Sequence, residues 1–163
     1  MLTYEATVSI TAPRERVWHV LSNVAEWPEW LRTVDRVVPL DERSIRLGSR
    51  YVVHQPRLRP ATWIVSKLEP SRRFTWEARS PGIRMVAEHT ITAGSPTAST
   101  VRLRFSFAGL FGGMIGRRFR SVTESYLAQE AGSLKRKVEA GNIDQSSWRR
   151  NGDAVARHDH RLI

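Results

Sequence analysis

His89 is the residue of this 163-residue chain best placed by type and spacing to move a proton. It falls in the run Met85-Val86-Ala87-Glu88-His89-Thr90-Ile91, where Met85, Ala87, His89 and Ile91 share one phase of a period-two pattern. The imidazole therefore points where apolar side chains point. In such surroundings it is either a proton donor and acceptor near neutral pH or a satisfied structural histidine. Tyr51 carries a phenol on an aromatic body and is a candidate to orient a ligand carbonyl, or else an amphipathic edge residue. Arg57, Arg59, Arg117, Arg118 and Arg120 flank proline- and glycine-rich segments. If those segments frame a pocket mouth, the guanidinium groups favour an anionic head group or carrier phosphate; otherwise they form a solvated basic face. His158-Asp159-His160 lacks a third organised ligand and is a poor metal site. The chain has no cysteine, which removes disulfides, thiolate metal sites and cysteine nucleophiles together. It also lacks GxGxxG, P-loop, HExxH and GxSxG patterns. No cofactor and no metal are expected.

The elements that must position these residues are legible from periodicity. Leu2, Tyr4, Ala6, Val8 and Ile10 alternate with polar residues and predict a strand. Thr11 and Pro13 open a helix with Val17, Val20, Leu21 and Val24 on one face, and a second short helix is expected around Glu29–Arg32. From Val34 to Phe107 short strands alternate with turns, an antiparallel meander. Beyond the loose glycines 109, 112, 113 and 116, a stripe from Phe111 and Ile115 through Leu127, Leu134 and Val138 predicts one amphipathic helix near residues 113–140. Gly141 is its expected C-cap. Residues 142–163 show no periodicity and read as a mobile tail. One large amphipathic helix must cover one face of the sheet, so the sheet curves around it and leaves a cavity.

Composition agrees with a single domain that needs no staple: 40% hydrophobic and 26% charged residues. There is no run of 18 apolar residues and no signal-peptide pattern in MLTYEATVSI, which predicts a cytoplasmic protein without a membrane span. The formal charge of +10 is the outlying number. Residues 43–84 hold ten basic groups against two acidic ones. That excess lies in a strand-rich middle rather than in a tail or one helix, which weighs against nucleic acid as the partner.

Three segments together carry a family resemblance. They are Val8-Ser9-Ile10-Thr11-Ala12-Pro13 through Val17-Trp18 to Trp27-Pro28-Glu29-Trp30; Trp63-Ile64-Val65 to Leu68-Glu69-Pro70 with Arg73-Phe74-Thr75-Trp76; and Thr100-Val101-Arg102-Leu103 to Phe107-Ala108-Gly109 with the closing helix. In order and spacing the chain resembles the polyketide cyclase/dehydrase branch of the START-like (SRPBCC) superfamily over about residues 3–140. The resemblance implies an α+β helix-grip fold, a curved antiparallel sheet of about seven strands wrapped on a long C-terminal helix. Two short helices follow the first strand, and a deep apolar pocket lies between sheet and helix. Residues 1–141 would be the ligand-binding domain. It does not imply a reaction, because fold-level analogy licenses a pocket and not a chemistry.

A pocket of this kind needs apolar lining with a few directed polar groups. Trp63, Trp76, Met85, Phe105 and Phe107 on strands, with Phe111, Met114 and Phe119 on the helix or its loop, are the expected ligand-binding residues. His89 and Tyr51 are the candidate catalytic residues, with an arginine as the alternative partner of His89 in a proton-transfer pair. The leading expectation is a monomer or homodimer that binds a hydrophobic, aromatic or polyketide-like small molecule. A cyclase or dehydratase working by general acid–base chemistry is the alternative. A basic interaction or nucleic-acid-binding module is the third reading.

Overall fold

The alternating N-terminal segment forms a strand, β1 (Leu2–Ile10). In this computed structural model, which describes the backbone of residues 1–158 and the side chains of residues 1–141, β1 leads into α1 (Arg14–Ser22), a 3-10 turn (Val24–Glu26) and the short α2 (Trp27–Trp30). Six strands follow: β2 (Arg36–Pro39), β3 (Arg50–His54), β4 (Ala61–Glu69), β5 (Arg73–Ser80), β6 (Ile83–Ser95) and β7 (Ala98–Ala108). The chain closes with α3 (Gly112–Arg118) and α4 (Arg120–His158).

The seven strands form one sheet in the order β1-β7-β6-β5-β4-β3-β2 with every neighbouring pair antiparallel. Register sorts the side chains. Tyr4, Phe105, Ala87, Trp76 and Val65 make one row across five strands on the concave face. Ala6, Leu103, His89, Phe74 and Leu68 make the next row on that face. Between them, on the convex face, Arg104 lies between Glu5 at 3.4 Å and Glu88 at 3.7 Å. Irregularities at Val65/Lys67 and Ala93/Ser95 add twist and bend to the sheet.

α4 buries Leu127, Ala131, Leu134 and Val138 and packs over β1, β7 and α1. Full burial of one such leucine is worth about 1.5–3 kcal/mol. Polar ties pin the same contact. Lys135 Nζ donates to the Ser9 carbonyl at 2.7 Å, and the Thr11 amide donates to Glu139 Oε1 at 2.9 Å. α2 is anchored by Trp27, whose indole donates to the Leu21 carbonyl at 3.0 Å.

Three expectations about helices need correction. The short second helix lies two residues earlier than Glu29–Arg32. The closing helix is two pieces, broken at Phe119, whose φ of −101° and ψ of 12° leave the helical basin. The break follows from Gly112 and Gly116, which seat α3 so closely on Phe107 that a Cβ at either would stand about 3 Å from it. Nor does the helix stop at Gly141: α4 runs to His158, and Gly141 is not among the glycines with positive φ that a left-handed cap requires. The side chains of the expected tail 142–163 lie outside the described residues, as do those of His158, Asp159 and His160.

The segments 55–60, 81–82 and 109–111 gather at one end of the sheet, as the pairs Val53–Ala61, Ser80–Ile83 and Arg84–Ala108 require. Two glycines hold this end together. Gly82 and Gly109 have φ of 73° and 92°. A Cβ on Gly82 would stand 2.5 Å from the Phe111 ring, and one on Gly109 would stand 2.6 Å from the Gly82 carbonyl oxygen. That carbonyl accepts from the Phe111 amide at 3.0 Å.

Candidate functional site

His89 lies on the concave face of β6, 3% exposed, and its Nε2 is 2.9 Å from Glu130 Oε1 of α4. Glu130 sits three residues after Leu127 and four before Leu134, so helical geometry aims its carboxyl group into the apolar stripe. The imidazole stacks on Phe74 with centroids 4.3 Å apart and planes 11° apart, and Trp27 flanks it at 5.5 Å. With Nε2 engaged by Glu130, the buried Nδ1 has no protein partner. A neutral imidazole that donates from Nε2 presents a bare acceptor lone pair at Nδ1.

From His89 an aromatic band runs toward the end of the sheet where the loops gather. Trp27 touches Trp76, and Trp76 touches Trp63, both at centroid distances of 5.3 Å. Trp63 meets Phe105 at 5.8 Å, and Phe105 meets Phe107 at 5.1 Å. Trp63, Trp76 and Phe107 are buried. Met85 and Phe105 are only half-buried, although both stand on the concave face of interior strands. Phe119, Val122 and Tyr126 on the helix side are half-buried as well. Partly exposed apolar side chains of the sheet and of the helices thus lie toward the loop end. There the Tyr126 hydroxyl donates to the Pro56 carbonyl and ties segment 55–60 to α4. Burial raises the Tyr126 pKa; the nearby Arg57 guanidinium opposes that shift and the Asp35 carboxylate adds to it. Arg57 holds a φ of 63°, a left-handed conformation that non-glycine residues adopt only at a cost.

Of the residues expected in the lining, Trp63, Trp76, Phe105 and Phe107 meet in this band, Met85 stands opposite Phe107 in the β6–β7 register, and Phe119 is half-buried at the break between α3 and α4. Phe111 and Met114 lie outside the band. They are 47% and 62% exposed, because Gly112 and Gly116 occupy the inner side of α3 and Phe111 lies flat on Gly82. Tyr51 is fully buried with its ring 6.3 Å from Trp76, but its hydroxyl turns to the Arg43 carbonyl at 3.5 Å, not to His89. Burial raises its pKa. Arg57, Arg59, Arg117, Arg118 and Arg120 are all exposed, and Arg120 pairs with Glu124 at 3.0 Å. Sequence reasoning missed Glu130, Trp27 and Tyr126 as members of the site. The available signal for Trp27 was an indole in the motif Trp27-Pro28-Glu29-Trp30.

Two open grooves on the described surface lie outside the aromatic band. One, of about 690 Å3, is bounded by Leu2, Thr3, Tyr4 and Glu5 of β1 and by Arg117, Arg120 and Glu124. The other, of about 320 Å3, lies between Pro13–Glu15 and Ala93–Pro96. Among the described residues no group of three His, Asp or Glu side chains is arranged to hold a metal ion, and no helix is long and apolar enough to cross a membrane.

The model of one family, polyketide cyclase / dehydrase and lipid transport, matches residues 1–139. The chain belongs to this family. Solved structures share its helix-grip, START-like fold. The Zhui aromatase/cyclase from a Streptomyces species superimposes with a TM-score of 0.69 at 19% identity, covering 85% of this chain and 93% of that one. A norcoclaurine synthase from Thalictrum flavum gives 0.70 at 10% identity, covering 86% and 96%. A START superfamily protein from Mycobacterium smegmatis gives 0.64 at 13% identity, covering 85% and 97%. At these identities the likeness shows the fold alone. A sequence comparison with curated proteins finds no match. Within the family fold, the His89–Glu130 pair links β6 to α4 across the concave face.

Proposed function

We propose that this member of the polyketide cyclase/dehydrase and lipid transport family binds an apolar, ring-bearing small molecule against the aromatic band. The site lies between Trp63, Trp76, Met85 and Phe105 on the sheet and Phe119 on the helix side. The observation that carries the reading is the partial exposure of Met85 and Phe105 on interior strands, continuous with the buried rings. Flat indole and phenyl faces favour flat, apolar ligands, and His89 Nδ1 offers one directed polar contact. The experiment is mass spectrometry of the purified protein under native conditions, followed by a tryptophan-fluorescence titration with the molecule that co-purifies. Trp63→Ala should weaken binding about tenfold or more, as loss of a well-packed indole does. Ile64→Ala, one residue away but 45% exposed on the convex face, should leave binding unchanged. Equal affinity in both variants would sink the reading.

The His89–Glu130 geometry favours a second reading, catalysis in the same site. His89 Nδ1 would take the acidic proton between two carbonyl groups of a poly-β-keto chain, while Glu130 holds Nε2–H and steadies the imidazolium. The resulting enolate carbon would attack a second carbonyl of the chain, and the shape of the aromatic band would select which one. The imidazolium would then return the proton. Under this reading His89→Ala lowers turnover of a short poly-β-keto thioester about 100-fold or more while its binding survives. If binding is the whole function, the same change costs about 1 kcal/mol of affinity.

A further inference from the structure

The loop end of the sheet exposes large apolar and basic side chains side by side. Leu110 is 85% exposed, Met114 62% and Phe111 47%. They project from the 109–116 segment, which the Gly82–Gly109 contact and the Phe111–Gly82 hydrogen bond fix against the rest of the fold. Beside them stand Arg117 and Arg118, and across the same end stand Arg57 and Arg59. None of these four arginines makes an ion pair among the described residues, whereas Arg104, Arg84 and Arg79 on the convex face all do. The segment 109–120 contains three arginines and no acidic residue.

We propose that this end docks on the surface of an anionic phospholipid bilayer, with Leu110, Phe111 and Met114 entering the head-group region and the arginines meeting lipid phosphates. Exposed apolar side chains gain free energy by leaving water for the acyl boundary, and nearby cations are drawn to an anionic leaflet. Nucleic acid would engage the arginines but give nothing to Leu110 and Met114. The charge and the apolar tips thus favour lipid. Docking in this orientation also turns the partly exposed end of the aromatic band toward the bilayer, so an apolar ligand could pass between the two without crossing water. Docking itself does not depend on the ligand reading.

The test is co-sedimentation of the ligand-free, full-length protein with vesicles of phosphatidylcholine alone and of phosphatidylcholine with about 30% phosphatidylglycerol. Partitioning should be strong on the anionic vesicles, weak on the neutral ones, and reduced by added salt. Leu110→Ser with Met114→Ser should lower it about tenfold or more at unchanged melting temperature, since both side chains are mostly exposed. Arg117→Glu with Arg118→Glu should remove the preference for anionic vesicles, on the scale of about fivefold per arginine. The proposal is overturned if the protein stays in the supernatant with anionic vesicles at low salt, or if the serine variants sediment as the parent does. Duplex DNA binding that equals vesicle binding and ignores the serine substitutions would instead assign the arginines to nucleic acid.

Discussion

Glu130 places a carboxyl group in a stripe otherwise made of Leu127, Ala131 and Leu134, where it meets the His89 ring. A polar group in such a place is tolerated only when it is hydrogen-bonded. Each member of the pair therefore depends on the other. Glu130→Leu should destabilise the fold by about 1–3 kcal/mol by leaving both imidazole nitrogens buried without partners. Adding His89→Leu should recover most of that loss. Chemical denaturation of the two single variants and the double variant measures the coupling, and additive losses would refute it. His89 was legible in the sequence because period two places it in phase with Met85, Ala87 and Ile91. Glu130 was not, because one acid in a helical stripe looks like a solvated position until the facing strand is known. Phe111 and Met114 were misplaced for the complementary reason. They carry the apolar signal, but the neighbouring glycines take the inner face.

At the scale of elements, α4 holds the edge of the sheet through a polar clamp as well as through its stripe. Hydrogen bonding from Lys135, then from the Thr11 amide, holds the Glu139 carboxyl below the usual carboxylate range, with burial acting weakly in the other direction. A folded-state value below the unfolded one adds stability at pH above the ordinary carboxylate value and loses it as pH falls through the folded value. Melting temperatures of the parent and Glu139→Gln should therefore differ most near neutral pH, by about 1–3 °C for a partly exposed pair. The two curves should converge in acid, and a gap that persists at low pH would contradict the assignment. The strands themselves were readable in order, because alternation reports a half-buried sheet directly, but β6 runs on past Ile91 to Ser95. The break at Phe119 was not readable: the stripe Ile115, Phe119, Val122 continues across it, and only the close approach of Gly112 and Gly116 to Phe107 interrupts the helix.

For the whole molecule, the formal charge of +10 is unevenly spent. Convex-face arginines are matched with Glu5, Glu77 and Glu88, and the loop end keeps arginines without ion pairs among the described residues. The sheet order has a second global effect. β1 pairs with β7 alone, from Leu2 opposite Phe107 to Ile10 opposite Ser99, and the Tyr4 hydroxyl and the Ser9 carbonyl tie it to the closing helices. Removing residues 1–10 should abolish cooperative unfolding in a calorimetric scan. Removing residues 146–163 should leave the melting temperature nearly unchanged, because the apolar periodicity of the sequence ends at Val138. A truncation result in the opposite sense would show that the far end of α4 bears the core. During synthesis, the same pairing makes the first strand made wait for the last. At about 5–20 residues per second the ribosome takes several seconds to deliver β7, and until then Leu2–Ile10 is an unpaired, apolar-alternating segment. Codons that slow translation between residues 11 and 98 would lengthen that interval and raise the demand for chaperones. The same codons placed after residue 108 would allow the sheet to close before the helices are complete.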